Sequence, residues 1–417
     1  MPSPALTEDD VLHIVQSFAQ VFRGGGGGPV REASLFLPVR TLEGFTPEQI
    51  EDTALAALRF FDLDPVAEDG AALERRLRSA AALSDWARIL HAAWKGGHVC
   101  FYSSGSTGEP VPHRYAMPTL ADEADVLAAF FRSRGRIVSV MPVHHIFGFM
   151  HSVWLAKWLG VPVIHAPPLP LAGFFTLLRR GDVIMGFPFF WQSLLTVVRQ
   201  EGRGAALRFP PDVTGVTATG PCPPWVIAGL REPLGDAGAP LAAMLEIYGS
   251  TETNGLGIRE GGTEWYELYA NWETAVLPGG EKGIRRLRKG RATGEPMTLP
   301  DVVTWHPSED RLFRPERRTD KAVQVGGINV YPERVAARIR THPLVRDCAV
   351  RLMRPEEGSR LKVFIVPECP LDEAAEHFGR PFRAWLAENL DTAGRPKRVR
   401  IGTSLPVNAM GKPCDWD

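Results

Sequence analysis

The residue types with the most obvious chemistry lie in Phe101 to Arg114, FYSSGSTGEPVPHR, directly after the short apolar run Val99 to Tyr102. A strand entering a loop of Ser104, Gly105, Ser106, Thr107 and Gly108, with no long side chains, leaves backbone N–H groups and hydroxyls open to an anion. That is the material of a phosphate cradle. A Walker loop is excluded, because Gly108 is followed by Glu109, Pro110 and Val111 rather than by Lys-Ser/Thr opening a helix. On this stretch alone a polar Gly/Ser linker is the competing reading.

The flanking sequence supplies elements to position such a loop. Thr7 to Phe22 places Val11, Leu12, Ile14, Val15, Phe18, Val21 and Phe22 at helical spacing behind an N-cap threonine and three acids. Gly24 to Gly28, then Pro29, reads as a linker, since no strand precedes it and no helix follows. Thr46 to Trp94 is helical again, and a further helix is expected over Leu120 to Arg132. Strands and helices then alternate: Ile137 to Met141, Phe149 to Leu159, Val161 to His165, Phe174 to Arg179 and Val183 to Gly186. This predicts βαβ units in a mainly parallel sheet. The strands Val213 to Ala218 and Met244 to Tyr248 end at TGPCPP and GSTET, so three Gly-bearing loops each follow an apolar strand. In an open α/β sheet such loops meet at the carboxyl edge, where ligands bind.

Beyond Gly255 the texture changes. Residues Gly261 to Arg317, rich in Trp, Tyr, Gly, Pro and Arg, suit a small antiparallel region, with Arg285, Arg286, Arg288, Lys289 and Arg291 as a solvated hairpin face. From Lys321 the pattern is a strand to Val325, a Gly-Gly turn, a helix over Pro332 to Thr341, strands over Asp347 to Leu352 and Lys362 to Val366, a helix over Leu371 to Leu390, and a tail. The expected fold class is α/β: a large domain of mainly parallel sheets flanked by helices, plus a small α+β domain.

A net charge of −1 over 417 residues argues against a dedicated nucleic-acid binder, which needs a basic surface to release counterions. Five scattered cysteines without CxxC spacing suggest neither a disulfide framework nor a zinc site. No apolar stretch reaches membrane-span length and no signal peptide is evident, so a cytoplasmic protein is expected, with no membrane partner.

Taken in order, the loops resemble those of the adenylate-forming superfamily of acyl- and aryl-CoA synthetases, luciferase and nonribosomal-peptide adenylation domains. YSSGSTGEP (Tyr102 to Pro110) resembles its phosphate loop, and MPVHHIFGF (Met141 to Phe149) its aromatic/His acyl-pocket motif. TGPCPP (Thr219 to Pro224) resembles the adenine-side turn, YGSTE (Tyr248 to Glu252) the YGxTE motif, and TLPD (Thr298 to Asp301) the ribose segment. RRTDKAVQVGGINVYPERV (Arg317 to Val335) is similar to the hinge, and LPVNAMGK (Leu405 to Lys412) to the segment with the catalytic lysine. The match runs from about residue 95 to the end.

The resemblance implies an ATP-dependent carboxylate ligase with Mg²⁺. It would adenylate an aromatic or short acyl acid and transfer it to a phosphopantetheine thiol of CoA or an acyl carrier protein. Ser104 to Gly108 would hold the β- and γ-phosphates, Glu252 the Mg²⁺ and Thr251 the α-phosphate. Tyr248, Gly249 and Ser250 would line the nucleotide site, with Tyr248 on adenine beside Gly220 and Pro221, and Asp301 and Arg318 on the ribose. His145, Phe147, Gly148, Asn254 and Gly255 would form the acid pocket, within a wider aromatic neighbourhood of Phe149, Trp154, Phe187, Phe189, Phe190 and Trp191. It further implies an adenylation domain over 1–318 and a small domain over 319–417, with hinge Asp320, thiol tunnel Gly326 and Gly327, and catalytic Lys412, which would offset charge at the α-phosphate.

Two positions depart from the pattern. Val111 and Gln324 stand where many members carry lysine, so phosphate charge falls to hydroxyls, Mg²⁺, or His113 and Arg114. The short region before the phosphate loop is like that of the compact aryl- and acyl-ligase branch. A basic excess after Lys321, including Arg395, Lys397, Arg398 and Arg400, suits CoA phosphates or an acidic carrier protein equally. The alternatives are an adenylating enzyme with a non-thiol acceptor, and a catalytically degenerate nucleotide- or acid-binding protein.

Overall fold

In the computed structural model the described residues are 5–24, 39–103, 111–168, 170, 172–201, 208–232, 239–299, 301–318, 322–326, 328–354, 356–406 and 416. The chain divides into two compact units, Met1–Glu316 and Arg317–Asp417.

The first unit begins with four helices: α1 (Glu8–Gly24), α2 (Pro47–Phe60), α3 (Glu68–Ser79) and α4 (Leu83–Ala93). Local chemistry sets their starts. Thr7 Oγ1 receives the Asp10 N–H at 3.3 Å, and Thr46 forms a reciprocal capping box with Gln49, just before Pro47 at the first helical position. The antiparallel hairpin of β1 (His98–Ser103) and β2 (Val111–Ala116) follows, pairing Ser103 with Val111 and so holding both ends of the Ser/Gly loop together.

Next come α5 (Met117–Phe131), β3 (Ile137–Ser139), α6 (Ile146–Phe149), a π-helical turn over Met150–Trp154, α7 (Leu155–Leu159) and β4 (Val163–His165). A 3₁₀ turn over Ala172–Leu177, β5 (Val183–Gly186), α8 (Pro188–Glu201), β6 (Thr214–Thr217), α9 (Pro224–Arg231), β7 (Ala243–Ser250) and β8 (Asn254–Glu260) continue the alternation. The last strands of the unit are β9 (Tyr266–Leu268), β10 (Trp272–Val276), β11 (Lys282–Arg288), β12 (Arg291–Met297), β13 (Asp301–Trp305) and β14 (Leu312–Arg318).

One nine-stranded sheet runs β13-β14-β9-β8-β7-β6-β5-β3-β4. From β4 to β7 the pairs are parallel, and from β7 through β8 and β9 to β14 they are antiparallel. The α/β class therefore holds, and the aromatic region after Gly255 pairs antiparallel as expected, but divided between two sheets. Three of its strands extend the main sheet and only β10-β11-β12 stand apart. Nor is the basic hairpin simply solvated: Arg285 pairs with Glu273 at 2.6 Å, Arg288 with Asp122 at 3.0 Å, and Arg286 lies over the Trp272 ring at 4.1 Å. Partners distant in sequence draw these guanidinium groups onto the protein.

Two apolar clusters cover the sheet. The first gathers residues from Leu6 to Phe313, including Trp86, Phe149, Trp154 and Trp272; the second gathers Phe174, Phe190, Trp191, Phe209 and Met244. The expected aromatic neighbourhood is thus split between them, with Phe187 packed against both and Phe189 45 % exposed. At the parallel end, Arg136 on the edge of β3 grips the buried Asp182 with two nitrogens, at 3.0 and 2.6 Å.

The second unit has the hairpin β15 (Val323–Val325) and β16 (Ile328–Val330), then α10 (Pro332–Ile339), β17 (Val345–Leu352), β18 (Leu361–Pro367), α11 (Leu371–His377), α12 (Arg380–Asn389) and β19 (Arg398–Ile401). The single helix expected over Leu371 to Leu390 is broken at Phe378 and Gly379, and the expected tail contains β19, which runs parallel to β18. Arg351 and the buried Lys362 both bind Glu357, and both donate to the backbone carbonyl of Trp416, whose ring packs against Phe364 at 5.9 Å.

Candidate active site

The TET turn is built from its own hydroxyls. Ser250 Oγ accepts the N–H groups of Glu252 (3.2 Å) and Thr253 (3.3 Å), and Thr253 Oγ1 accepts the Ser250 N–H at 3.2 Å. Buried Thr253 anchors the turn, which leaves Thr251 and Glu252 outermost. The β7–β8 register slips at Tyr248/Gly249, and a Cβ on Gly249 would lie 2.1 Å from the Asn254 carbonyl oxygen, so only glycine fits there. Asn254 takes φ 61°, a left-handed conformation that asparagine tolerates.

The phosphate-loop hairpin is fastened to this turn. Tyr115 on β2 donates its hydroxyl to the Thr251 carbonyl at 2.7 Å. His113 Nε2 lies 2.9 Å from Ser103 Oγ and 3.9 Å from Glu252 Oε1. Burial lowers the His113 pKa, with Glu252 opposing the shift. Arg114, one residue on and facing the opposite side of the strand, is committed to Asp62 at 2.6 Å. Of the two cations named for the loop, the structure turns His113, and not Arg114, toward Glu252. Ser104, Gly105, Ser106, Thr107 and Gly108 lie outside the described residues.

Tyr248 donates to Asp301 Oδ2 at 2.6 Å, and its ring packs on Phe313 (5.4 Å) and Tyr266 (5.7 Å). At the end of β6, Thr219 has φ 72°, a strained backbone for a β-branched residue, immediately before Gly220 and exposed Pro221. Arg318 ends β14, the sheet neighbour of the strand that Asp301 begins; its side chain lies outside the described residues.

The His-Phe-Gly segment opens α6. His145 stands, exposed, at its N-cap position without a side-chain cap bond, Phe147 is buried, and a Cβ on Gly148 would lie 2.1 Å from the Pro142 carbonyl oxygen. His144 is turned away toward α1, with Nδ1 2.7 Å from Ser17 Oγ and its ring on Phe18 at 4.8 Å. Burial and the neighbouring His145 hold its pKa well below the usual histidine range. Gly255 donates its N–H to Glu123 Oε1 at 2.9 Å and accepts from Trp272 Nε1 at 3.0 Å.

Sequence reasoning missed Glu123. The available signal was its place among Leu120, Ala124, Leu127 and Phe131, an acid on the apolar stripe of a helix. In the second unit, Gly326 turns the β15–β16 hairpin at φ +61° and Gln324 bonds Asn329 across it. Asp320, Gly327 and Lys412 lie outside the described residues.

No group of three or more His, Cys, Asp or Glu side chains placed to hold a metal occurs among the described residues. A single exposed carboxylate at Glu252 still fits Mg²⁺, which takes one or two protein carboxylates and draws its other ligands from phosphates and water. An open cleft of about 370 Å³, lined by Phe130, Leu245, Ile258 and Trp265 among others, contains none of the expected site residues.

Residues 66–275 match the model of a family described as AMP-binding enzyme, and residues 334–412 that of the AMP-binding enzyme C-terminal domain. The chain is 33% identical to a 4-coumarate–CoA ligase of Halorhodospira halophila, over 98% of this chain and 99% of that protein. It is 32% identical to a 4-coumarate–CoA ligase of Cereibacter sphaeroides, over 86% and 80%. Among solved structures it resembles the amide bond synthetase McbA of Marinactinospora thermotolerans, with a TM-score of 0.60, 17% identity, and 98% and 93% of the chains covered. At that identity the likeness concerns the fold.

Proposed function

The chain belongs to the AMP-binding enzyme family of adenylate-forming acyl- and aryl-CoA synthetases, and we propose that its substrate is an aryl acid of the hydroxycinnamate type. It is an AMP-forming acid–thiol ligase, in which ATP activates a carboxylate as the acyl-adenylate and CoA takes the acyl group as a thioester. The names of these relatives support the aryl acid.

Glu252 would hold Mg²⁺, which when bound neutralises phosphate charge. Thr251 would contact the α-phosphate, and Ser104 to Gly108 would supply N–H groups and hydroxyls to the β- and γ-phosphates. Gly249 and Ser250 would let the nucleotide approach the end of β7, with adenine between Tyr248 and the Gly220–Pro221 turn. Asp301 and Arg318 would hold the ribose. His145, Phe147, Gly148, Asn254 and Gly255 would hold the acid with its carboxylate toward Thr251. Lys412, in a domain over 319–417 turning about Asp320, would offset charge as the adenylate forms, and Gly326 and Gly327 would leave room for pantetheine. The observation that carries this reading is the Tyr248–Asp301 hydrogen bond, which joins the residue expected at adenine to the one expected at ribose.

CoA is the acceptor in the names of the relatives, which supports it here; an acyl carrier protein is the variant to test beside it. We place the reaction in the cytoplasm, where ATP and CoA occur and where Cys100, Cys222, Cys348 and Cys369, all unpaired with one another, stay reduced. The test is pyrophosphate release across a panel of aryl and aliphatic acids, with CoA or holo carrier protein. Hydroxycinnamates with CoA are expected to lead. Release with no acid would sink the catalytic reading, and preference for aliphatic acids would sink the aryl one.

A further inference from the structure

Glu123 lies in the interior, 1% exposed, on a helix whose other inward residues are apolar. Its Oε1 accepts the Gly255 N–H at 2.9 Å, while Oε2 is buried without a hydrogen-bond partner. A Cβ on Gly255 would lie 2.6 Å from Glu123 Oε1 and 2.6 Å from Tyr269 Cε2, so glycine, carboxyl and phenol ring meet at one point. The Tyr269 hydroxyl, Asn254 Nδ2 and Arg286 Nη1 are likewise buried without partners, although Arg286 Nη2 donates to the Thr253 carbonyl at 2.7 Å. Leaving one buried polar atom unpaired costs about 1–3 kcal/mol, and native interiors keep few of them. Four around one short stretch, Thr253 to Gly255, are more than a purely structural contact requires.

The stretch also lies where an acid would end. Gly255 follows Glu252 by three residues, and at roughly 3.3 Å per extended residue the two are at most about 10 Å apart. That is comparable with the reach of an aryl-propenoic acid from carboxylate to ring substituent. The segment from Phe147 to His151 packs against α5 and β8, and His151 Nε2 is buried without a partner. Burial pushes the Glu123 carboxyl up to about 8, with Arg286 opposing, so near neutral pH the group is available as a donor as well as an acceptor.

We propose that Glu123 is a specificity-determining residue of the acid site, its carboxyl hydrogen-bonding a phenolic hydroxyl at the end of the aryl acid remote from the activated carboxylate. This rests on the aryl-acid ligase reading above. A site built around such a bond disfavours an analogue that lacks the hydroxyl, because its own polar groups are then left unpaired.

The test compares kcat/KM for 4-hydroxycinnamate and cinnamate, with ATP and CoA, in the full-length wild type, Glu123→Met and Glu123→Gln. The wild type is expected to favour the hydroxylated acid by about tenfold or more. Glu123→Met should erase that preference, with kcat/KM for the hydroxylated acid falling about tenfold more than for cinnamate, chiefly through KM. Glu123→Gln keeps an oxygen for the Gly255 N–H and a polar group for the phenol, and should retain part of the preference. Equal losses on both acids in either variant, or a wild type indifferent to the hydroxyl, would overturn the proposal while leaving the ligase reading intact. A wild type that releases pyrophosphate with neither acid nor any other would overturn both.

Discussion

The hydroxyl of Tyr248 reaches Asp301 Oδ2 across 2.6 Å, tying the end of β7 to the start of β13. The two strands occupy different parts of one sheet and are separated by β8, β9 and β14. The contact therefore fixes the carboxylate against a ring that is itself held by Phe313 and Tyr266.

If that carboxylate holds ribose, Asp301→Ala raises KM for ATP by about tenfold or more, because a charged hydrogen-bonding group is lost, and shifts KM for the acid by less than about threefold. Tyr248→Phe, which removes the hydroxyl but keeps the ring, has a smaller effect in the same direction. Steady-state pyrophosphate release titrated separately with ATP and acid reads both constants. Equal shifts in the two would remove Asp301 from the nucleotide.

If Lys412 serves adenylation, the two half-reactions separate at this residue. Lys412→Ala should cut carboxylate-dependent pyrophosphate exchange by about a hundredfold or more, since one preorganised charge at the α-phosphate is removed. Thioester formation from supplied acyl-adenylate should stay within about threefold. The same loss in both assays would contradict a lysine that serves adenylation alone.

Acid stability of the second unit is set partly at Glu357. Hydrogen bonds from Arg351, then Lys362 and the Arg354 N–H, hold its carboxyl at about 2, below the usual 4.5. A carboxyl depressed on folding contributes stability that is complete above about pH 4.5 and disappears as pH falls toward 2. Glu357→Gln should therefore lower the melting temperature of the full chain at pH 7, and the gap to wild type should narrow steadily between pH 5 and pH 3. A constant gap would mean the glutamate acts by shape rather than charge.

What the sequence made legible follows the range of the interaction. Thr46, Pro47 and Gln49 specify a helix start within four residues, and the turn after β7 is held by the hydroxyls of Ser250 and Thr253, three residues apart. Strand β19 was hidden because Arg398 and Arg400 alternate with Val399 and Ile401, a basic string that becomes a strand only beside β18. Arg286 read as solvated because Trp272 and the Thr253 carbonyl, which engage it, lie elsewhere in the chain. The same holds for β9, β13 and β14, whose membership of the main sheet depends on long-range pairing.

Phe313 is fully buried and touches Tyr248, Tyr266 and Trp305, while a Cβ on Gly257 would lie 2.8 Å from its ring. During synthesis on the ribosome the parallel strands emerge long before it, so a nascent chain of three hundred residues has its Tyr248 ring unsupported on one side. The packing around Tyr248 can be finished only after Phe313 clears the exit tunnel. Until then the exposed edge of β9 and its aromatic neighbours are surface that a chaperone has reason to hold.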